Sequence, residues 1–588
     1  MYEILNTINS PEDVKKLSLE ELKQLAKDIR EALFNRLTKV GGHCGPNFGI
    51  VECEIAMHYV FSSPKDKFVF DVSHQSYTHK MLTGRRKGYT DDDCFSSDSG
   101  YTNPNESEHD LFNIGHTSTS ISLATGLAKA REIKQTKENV IALIGDGSLS
   151  GGEALEGLNV AGSEIKSNLI IIVNDNQQSI SETHGGIYKN LQLLRETKGK
   201  SENNIFKSFN LDYMYVENGN DIESLINAFK KVKDVDHPIV VHINTTKGKG
   251  FLLAEQNKEK WHYTMPFDRE TGKPLFTFNS ETYTKIAHDF ILSKAKSDKN
   301  FVVVTPNMPS SFGLGEDDRK QLGNQFVDVG IAEEQAVAMA SGLSKGGVNT
   351  LVVTNTTFIQ RAFDQLHQDV CINNNPMTIL LNYSSFAGLT DVTHLGIFGI
   401  SMLSNIPNLV VLCPSSKQEL IEMLQWSTSQ REHAVVILLP GDSVDDRKVK
   451  KFECDFKYQV EQQGEKVAII GLGDFYSLAK DVKEEIEKQL LFKPTLINAR
   501  FASEIDKSLL DDLSKDHKII ITLEDGILDG GFGQKIASYL GDSKVIVKNY
   551  GLNKEFYDRY DPNKLLESLK ITKEQITNQI KNLLNIKK

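Results

Sequence analysis

Short apolar runs alternate with helical and polar stretches along the chain, which is typical of repeated strand–helix units. Val140 to Ile144 is an apolar run rich in β-branched residues, Gly152 to Ala161 has helical character, and Leu169 to Val173 is a second apolar run. Runs of this length predict buried strands. We therefore predict a strand–helix–strand unit of an open parallel sheet, in which ligands bind beyond the carboxyl ends of the strands.

Polar residues follow both of these predicted strands. Gly145-Asp146-Gly147 follows the first, and Asn174-Asp175-Asn176 follows the second. Carboxylate and amide oxygens suit Mg²⁺, which usually shares its shell with phosphate oxygens, and a helix N-terminus offers N–H groups to an anion. The alternative is a tight turn with a strand-capping asparagine. Because both motifs end adjacent predicted strands, the pattern favours a diphosphate anchor.

The same patterning organises the rest of the chain. Ser18 and Glu21 form a predicted capping box at the start of a helix that ends at Gly41-Gly42. A polar stretch, Leu253–Gly272, is interpreted as a linker between domains. The patterns after it predict a helix over 282–296 and strands at Phe301–Thr305, Val467–Gly471, Thr495–Ala499, Lys518–Leu523 and Lys544–Lys548.

Composition narrows the class of protein. With 588 residues, 39% hydrophobic and 25% charged, the chain is long enough for three or four globular domains. A net charge of -12 argues against nucleic-acid binding as the main role. Six cysteines without C-x-x-C spacing indicate neither zinc nor a disulfide framework. Without a recognisable signal peptide or membrane-spanning run, we expect a cytoplasmic protein.

Several loops before predicted helices carry histidines, among them His43, His74 and His116. A single loop histidine is usually a surface or capping residue. Their occurrence before successive helices, in the same half of the chain as Asp146, raises the weight of a functional interpretation.

Specific motifs make the chain similar to a known family. They read GGHCGPNFG, SHQSYTHKMLTGR, ESEHDLFNIGHTSTSIS, GDG followed by NDN, DVGIAEEQAVAMASGL and TFIQRAFDQLHQDV. These stretches, in this order, resemble the 1-deoxy-D-xylulose-5-phosphate synthase family of transketolase-like thiamine diphosphate enzymes. The resemblance implies an α/β homodimer of three domains with largely parallel sheets: 1–265 for diphosphate and Mg²⁺, 278–445 for the pyrimidine, and a C-terminal domain at 456–588.

The resemblance also assigns roles to individual residues. It implies Asp146, the Asn176 side chain and the Gln178 carbonyl as metal ligands. It implies Glu333 as the group beside the aminopyrimidine that enables removal of the C2 proton. Phe358 would stack on the pyrimidine, with a core aromatic as the alternative. The other implied catalytic residues are His43, His74, His394 and His262, the last weighed against an ordinary linker histidine. The other implied cofactor-binding residues are His74, His116, Ser118, Gly147, Ser148, Ile180, Lys247 and Arg361.

Four segments depart from the family pattern. Asn382-Tyr383-Ser384-Ser385 replaces Asp-Arg-Ala-Gly, and Leu439-Pro440-Gly441-Asp442 replaces Tyr-Pro-Arg-Gly. Glu333-Glu334-Gln335 replaces Glu-Gln-His, and Asp98–Asn105 holds no Lys or Arg. Two arginines that the family uses to bind the acceptor's phosphate are thereby lost. The segment Glu182–Asn210 is also shorter than in the family and is interpreted as a trimmed lid.

Three hypotheses follow. The first is a carboligase that decarboxylates pyruvate and joins the two-carbon unit to glyceraldehyde 3-phosphate, giving 1-deoxy-D-xylulose 5-phosphate, a precursor of isoprenoids, thiamine and pyridoxal. The second is a related synthase or transketolase that uses a non-phosphorylated or otherwise different aldehyde. The third is a non-catalytic scaffold that binds thiamine diphosphate, which the retained Glu333 and histidines speak against.

Overall fold

The structure is a computed structural model that describes residues 2–183, 185–276, 280–441, 443–449 and 451–585. Within it the chain forms two compact units, residues 1–279 with 330–332 and residues 280–329 with 333–588. Phe278, the predicted first residue of the second domain, lies outside the described residues. So does Asp442, the last residue of the Leu-Pro-Gly-Asp segment. No helix in the described ranges has both the length and the apolar character needed to cross a bilayer.

The first unit is built on a parallel five-stranded sheet. Its strands, in spatial order, are Lys67–Phe70, Val140–Gly145, Leu169–Asp175, Pro238–Asn244 and Asp212–Val216. The central strands are buried along nearly their whole length, as strands covered by helices on both faces must be. The α-helices of this unit are Pro11–Val14, Leu19–Val40, Gly45–Val60, Tyr77–Lys80, Lys87–Thr90, Ser120–Lys134, Gly152–Glu164, Gly186–Glu196, Ile205–Ser208, Ile222–Val232 and Leu252–Gln256.

The second unit contains two sheets. The six-stranded sheet is parallel, in the order Leu409–Leu412, Ala434–Leu438, Thr378–Asn382, Asn349–Asn355, Phe301–Thr305 and Phe326–Asp328. The five-stranded sheet has the order Gln459–Gln462, Thr495–Asn498, Lys466–Gly471, His517–Ile527 and Ile546–Leu552, with only the first strand antiparallel. Side chains of both sheets share one hydrophobic core.

Helices cover these two sheets. They are Tyr283–Ser297, Glu316–Leu322, Glu333–Lys345, Thr356–Ile359, Phe363–Gln365, Gly399–Leu403, Lys417–Ser427, Phe475–Leu490, Lys507–Asp516, Phe532–Tyr539, Pro562–Ser568 and Lys573–Leu583. The α/β class with largely parallel sheets is therefore confirmed.

The local predictions agree closely with these bounds. The helix Leu19–Val40 begins with the expected capping box of Ser18 and Glu21 and ends at Gly41, whose φ of 74° suits glycine. The helix predicted over 282–296 spans Tyr283–Ser297, and the strand Phe301–Thr305 has the predicted bounds.

The linker interpretation of Leu253–Gly272 is wrong for most of that stretch. The stretch contains the end of the helix Leu252–Gln256 and a strand, Tyr263–Thr264. Trp261 and Phe267 are both 3% exposed and belong to the core of the first unit. The linker prediction rested on the polar composition of the stretch and gave no weight to its few aromatic residues, whose burial holds the segment against the first unit.

Candidate active site

The turn after the strand Val140–Gly145 holds Asp146 in a tightly packed position. The backbone at Gly147 lies so close to Ser179 that a side chain would not fit, because a Cβ there would lie 2.6 Å from Ser179 Oγ. The Gly147 amide donates to Asp146 Oδ1 at 3.0 Å, and Asp146 is 2% exposed. Its Oδ2 is buried and has no hydrogen-bond partner in the part of the chain that the structure describes.

Asn176 presents a second oxygen of this kind beside the neighbouring strand. Asn174 is in register with Gly145 across the parallel pair, so the two polar motifs leave the sheet at the same edge. Asn176 Oδ1 is buried without a hydrogen-bond partner among the described residues, while its backbone carbonyl accepts from Lys258 Nζ at 3.0 Å. Buried oxygens without partners are costly and rare. A cation bound by Asp146 and Asn176 would satisfy both, so these residues fit the predicted metal.

The charge at this edge is consistent with that fit. Burial, and then the charge of Asp175, raises the pKa of Asp146 to about 8. A divalent cation would favour the ionised form of such a carboxylate. The described residues contain no group of three or more His, Cys, Asp or Glu side chains arranged to hold a metal. Of the predicted metal ligands only Asp146 is a residue of these four types, since the other two are the Asn176 side-chain amide and the Gln178 backbone carbonyl.

Three of the predicted histidines come together in the first unit. The ring centroid of His43 lies 4.9 Å from that of His74 and 5.7 Å from that of His262, and His74 lies 5.4 Å from His262. Strand pairing brings His262 there, because Gly42–His43 pairs antiparallel with Tyr263–Thr264. The contacts therefore favour the site interpretation of His262 over that of a linker histidine.

Lys247 joins this histidine group to the segment after Asn176. Its Nζ is 3.0 Å from His262 Nδ1 and donates to the Ser179 carbonyl. Lys247 is 2% exposed, and burial lowers its pKa to about 7. Burial, with the nearby Lys247 charge, also lowers the pKa of His262 well below its usual value. Burial therefore brings the pKa of Lys247 close to neutral pH and moves that of His262 away from it.

The remaining predicted cofactor residues of the first unit lie in neighbouring turns. Ser118 Oγ donates to the Ser148 carbonyl at 2.8 Å, and the Ser118 amide donates to Asp71 Oδ1 at 2.8 Å. His116 is half-buried in the loop before the helix Ser120–Lys134. Gln178 Nε2 donates to the Ile180 carbonyl at 3.2 Å. The structure thus ties Ser118 directly to the turn that follows Asp146.

The other predicted residues belong to the second unit. Glu333 begins the helix Glu333–Lys345 and is 4% exposed, and its Oε2 lies 3.6 Å from Arg361 Nη1. Burial raises the pKa of Glu333 to about 7, against the opposing effect of Arg361. The rings of Phe358 and His394 lie edge to face at 5.6 Å. These contacts group Glu333 with Arg361 and Phe358 with His394.

Sequence reasoning missed several residues that hold these positions. Asn47 is fully buried, and its Nδ2 donates to the carbonyls of both His43 and His74 at 2.8 Å. Lys258 binds the Asn176 carbonyl, and Asp175 binds Arg195 and His242. Asn47 stands in the quoted GGHCGPNFG motif and Asp175 in the NDN motif, so proximity to a motif was the available signal. Lys258 carried no such signal.

Two of the segments that depart from the family pattern line a cavity in the second unit. The cavity has a volume of about 660 Å³, and its walls include Asn382, Tyr383, Pro440 and Gly441. Tyr383 has a left-handed φ of 51° directly after the strand Thr378–Asn382. Asn382 and Pro440 follow adjacent parallel strands, so the cavity lies at the carboxyl edge of the six-stranded sheet.

Comparisons with known proteins agree with this architecture. Residues 5–203 and 195–245 match a family model described as 1-deoxy-D-xylulose-5-phosphate synthase. Residues 280–445 match the transketolase pyrimidine binding domain, and residues 457–576 match the transketolase C-terminal domain. The fold is therefore transketolase-like.

Curated relatives extend the match to the whole chain. A 1-deoxy-D-xylulose-5-phosphate synthase from Alkaliphilus oremlandii is 36% identical, covering 99% of this chain and 99% of the relative. One from Clostridium beijerinckii is 36% identical, covering 98% of each. A transketolase structure from Leishmania mexicana is 16% identical over 97% of this chain and 98% of that one, with a TM-score of 0.45. The chain belongs to the 1-deoxy-D-xylulose-5-phosphate synthase family, and the resemblance read from its motifs is confirmed.

Proposed function

We propose that this protein is a thiamine-diphosphate-dependent transferase that decarboxylates pyruvate and joins the two-carbon unit to glyceraldehyde 3-phosphate. The product would be 1-deoxy-D-xylulose 5-phosphate, as the name of the family states. The buried oxygens of Asp146 and Asn176, which have no hydrogen-bond partner among the residues that the structure describes, are the observation that carries the proposal. It supports a Mg²⁺ site at the carboxyl edge of the first sheet, where the ion would offset the negative charge of the cofactor's diphosphate.

Different residues of this chain would bind the metal, the diphosphate and the pyrimidine ring. Asp146, Asn176 and the Gln178 carbonyl would hold the metal, and His116, Ser118, Gly147, Ser148, Ile180 and Lys247 would surround the diphosphate. Glu333 would exchange a proton with the pyrimidine ring, a role that suits a buried carboxyl whose pKa is raised to about 7. Arg361 would keep that carboxyl in place from the 3.6 Å contact.

Thiamine diphosphate, when bound, supplies the electron sink that decarboxylation requires. The rings of His43 and His74 would exchange protons with substrate oxygens, and His394 would do so beside Phe358. Burial holds the pKa of His262 well below its usual value, so its imidazole is neutral at neutral pH and would act there through hydrogen bonds.

The wider organisation is part of the same proposal. Residues 1–265 would bind diphosphate, 278–445 the pyrimidine, and 456–588 would serve packing and dimerisation of a homodimer. All six cysteines are free thiols, which supports a reducing compartment such as the cytoplasm.

A second candidate concerns the acceptor and rests on the cavity beside Tyr383. Its charged lining residues are already engaged: Lys285 Nζ lies 2.6 Å from Asp289, and His288 Nε2 lies 3.2 Å from Asp318. Tyrosine and glycine cannot supply the charge-assisted, two-pronged hydrogen bonds by which arginine binds a phosphate dianion. This lining favours an aldehyde acceptor without a phosphate group.

The decisive experiment measures CO₂ release from pyruvate by the full chain with thiamine diphosphate, Mg²⁺ and one aldehyde at a time. Glyceraldehyde 3-phosphate and glyceraldehyde form the matched pair, because they differ by the phosphate alone. A kcat/KM higher by several orders of magnitude for the phosphorylated aldehyde supports the first candidate and eliminates the second. The reverse preference supports the second. Absence of CO₂ release with every aldehyde would leave only a non-catalytic scaffold.

A further inference from the structure

One helix of the first unit contacts both polar turns at the proposed metal edge. This helix, Gly186–Glu196, lies in the segment Glu182–Asn210, and we call it the clasp helix. Near its start, Tyr188 Oη donates to the Gly147 carbonyl at 3.2 Å. Near its end, Arg195 Nη1 forms a hydrogen-bonded ion pair with Asp175. Each contact falls on the residue next to a proposed ligand, Asp146 in one case and Asn176 in the other.

The Asp175 contact is fixed from a second side. His242 Nε2 lies 2.9 Å from the same carboxylate oxygen that Arg195 binds, and His242 Nδ1 lies 2.8 Å from Tyr213 Oη. The side chains of Asp175 and His242 are fully buried, whereas that of Arg195 is 16% exposed. A buried carboxylate held by a cation and an imidazole has one orientation, so the backbone leading to Asn176 is fixed too.

The clasp helix does not fill the space above Asp146. A cavity of about 260 Å³ lies between them, and its lining includes Asp146, Tyr188, Lys189, Gln192 and Arg195. The helix therefore spans the metal edge, and its hydrogen bonds to the two turns come from residues near its two ends. This arrangement suits an element that sets the spacing of two turns while leaving room beside the Asp146 carboxylate.

We propose that the clasp helix positions the metal ligands, with Tyr188 and Arg195 as its positioning residues. Neither residue is a ligand; they hold the turns that carry Asp146 and Asn176 at the separation that a bound Mg²⁺ needs. The inference rests on the proposed function, since it takes Mg²⁺ and thiamine diphosphate as the ligands of this edge. On this proposal the clasp helix is a fixed support for the metal ligands and not a trimmed lid.

The test is Mg²⁺ affinity, measured by calorimetric titration of the full chain in the presence of saturating thiamine diphosphate. Loss of residues that orient metal ligands typically costs about 10–100-fold in metal affinity. We expect a loss in that range for Arg195→Gln and a loss of a few-fold for Tyr188→Phe, which removes only the hydroxyl. Arg195→Lys, which keeps the charge, should recover part of the affinity. At saturating Mg²⁺ the kcat of each variant should return to within a few-fold of wild type.

Lys189→Gln is the matched control. Lys189 lies on the same helix and lines the same cavity, so its substitution removes one positive charge and leaves the Asp175 ion pair intact. We expect wild-type Mg²⁺ affinity for it. Equal losses in Lys189→Gln and Arg195→Gln would overturn the proposal, because general charge and not positioning would then set the affinity.

Two further results separate the possible failures. Unchanged Mg²⁺ affinity in Arg195→Gln and Tyr188→Phe, with wild-type thermal midpoints, overturns the proposal that the clasp helix positions the metal ligands. The proposed function is not affected by that result. Failure of the wild-type chain itself to bind Mg²⁺ with thiamine diphosphate overturns both. If Arg195→Gln does not fold, Tyr188→Phe decides alone, since removal of a half-buried hydroxyl preserves the packing of the ring.

Discussion

Two carboxyl edges, one in each unit, differ in what they present to a ligand. At the edge of the first sheet, Asp146 and Asn176 hold buried oxygens without hydrogen-bond partners among the described residues, beside a lysine whose Nζ contacts His262. At the edge of the six-stranded sheet, Tyr383 and Gly441 line a large cavity with hydroxyl and backbone groups. The first edge is built to hold charge, whereas Lys285 and His288, the basic side chains in the described lining of the second, are each paired with a carboxylate. On the proposed assignments, cofactor binding by the metal ligands and the choice of acceptor therefore depend on separate edges.

The largest expected effect is at the first edge. Asp146→Ala should weaken binding of thiamine diphosphate with Mg²⁺ by at least about 100-fold, because the metal would lose its charged ligand. Calorimetric titration with both components measures this loss. The control is Asp236→Ala, since the Asp236 side chain is 99% exposed. Wild-type affinity in Asp146→Ala would remove this edge from the cofactor site.

Glu333 tests the chemical group in the second unit. Glu333→Gln should bind the cofactor nearly normally and slow exchange of the cofactor's C2 proton for deuterium by about 10²–10⁴-fold, the usual contribution of a general base. Proton NMR of the quenched cofactor follows the exchange. Glu334→Gln, one position along the same helix, serves as control and should exchange at the wild-type rate. An unchanged rate in Glu333→Gln would exclude the assigned role.

The edge of the six-stranded sheet, where we propose that the acceptor binds, gives a smaller effect, and there the substitution should strengthen binding. Tyr383→Arg should lower the KM for glyceraldehyde 3-phosphate by about 10-fold, because a guanidinium offers the phosphate two charge-assisted hydrogen bonds. Arginine and tyrosine face the same left-handed φ at this position, so the backbone demand is equal. Steady-state kinetics with both aldehydes detect the change, and Tyr383→Phe should leave the phosphate preference as it is. A higher KM in Tyr383→Arg would show that this wall does not face the phosphate.

The smallest effect concerns stability and pH. Burial raises the pKa of Glu333 to about 7 from an ordinary 4.5, so between these values the folded state binds a proton that the unfolded state releases. The contribution of Glu333 to stability is complete below pH 4.5 and is lost as the pH rises to about 7. Thermal midpoints should therefore show Glu333→Gln gaining on wild type between pH 4.5 and 7. A difference that does not change over this range, as expected for Glu334→Gln, would contradict the raised pKa.

Much of the fold could be predicted because buried parallel strands leave long apolar runs. The predicted strand from Val140 to Ile144 is observed as Val140–Gly145, and that from Leu169 to Val173 as Leu169–Asp175. The linker interpretation failed because a few aromatic residues, such as Trp261, outweigh many polar neighbours once they are buried. Hydrophobic pattern records how much of a segment is apolar, and it does not record where one large side chain is placed.

The candidate site divides in a similar way. Asp146 and Asn176 could be found because each follows a strand whose pattern is unmistakable. Asn47 offered only its place in the GGHCGPNFG motif, and Tyr188 and Arg195 could not be found, because their partners are a carbonyl and a carboxylate distant in sequence. Such contacts depend on the folded path of the chain, and no local spacing predicts them.

The central claim is that this chain moves a two-carbon unit from pyruvate to an aldehyde. Carbon-13-labelled pyruvate, incubated with the full chain, thiamine diphosphate, Mg²⁺ and glyceraldehyde 3-phosphate, tests it directly by NMR and mass spectrometry of the products. The account predicts labelled CO₂ together with a five-carbon ketose phosphate that carries the other two labelled carbons. Labelled pyruvate that remains unchanged both with this aldehyde and with glyceraldehyde, under conditions in which calorimetry shows the cofactor bound, would contradict it.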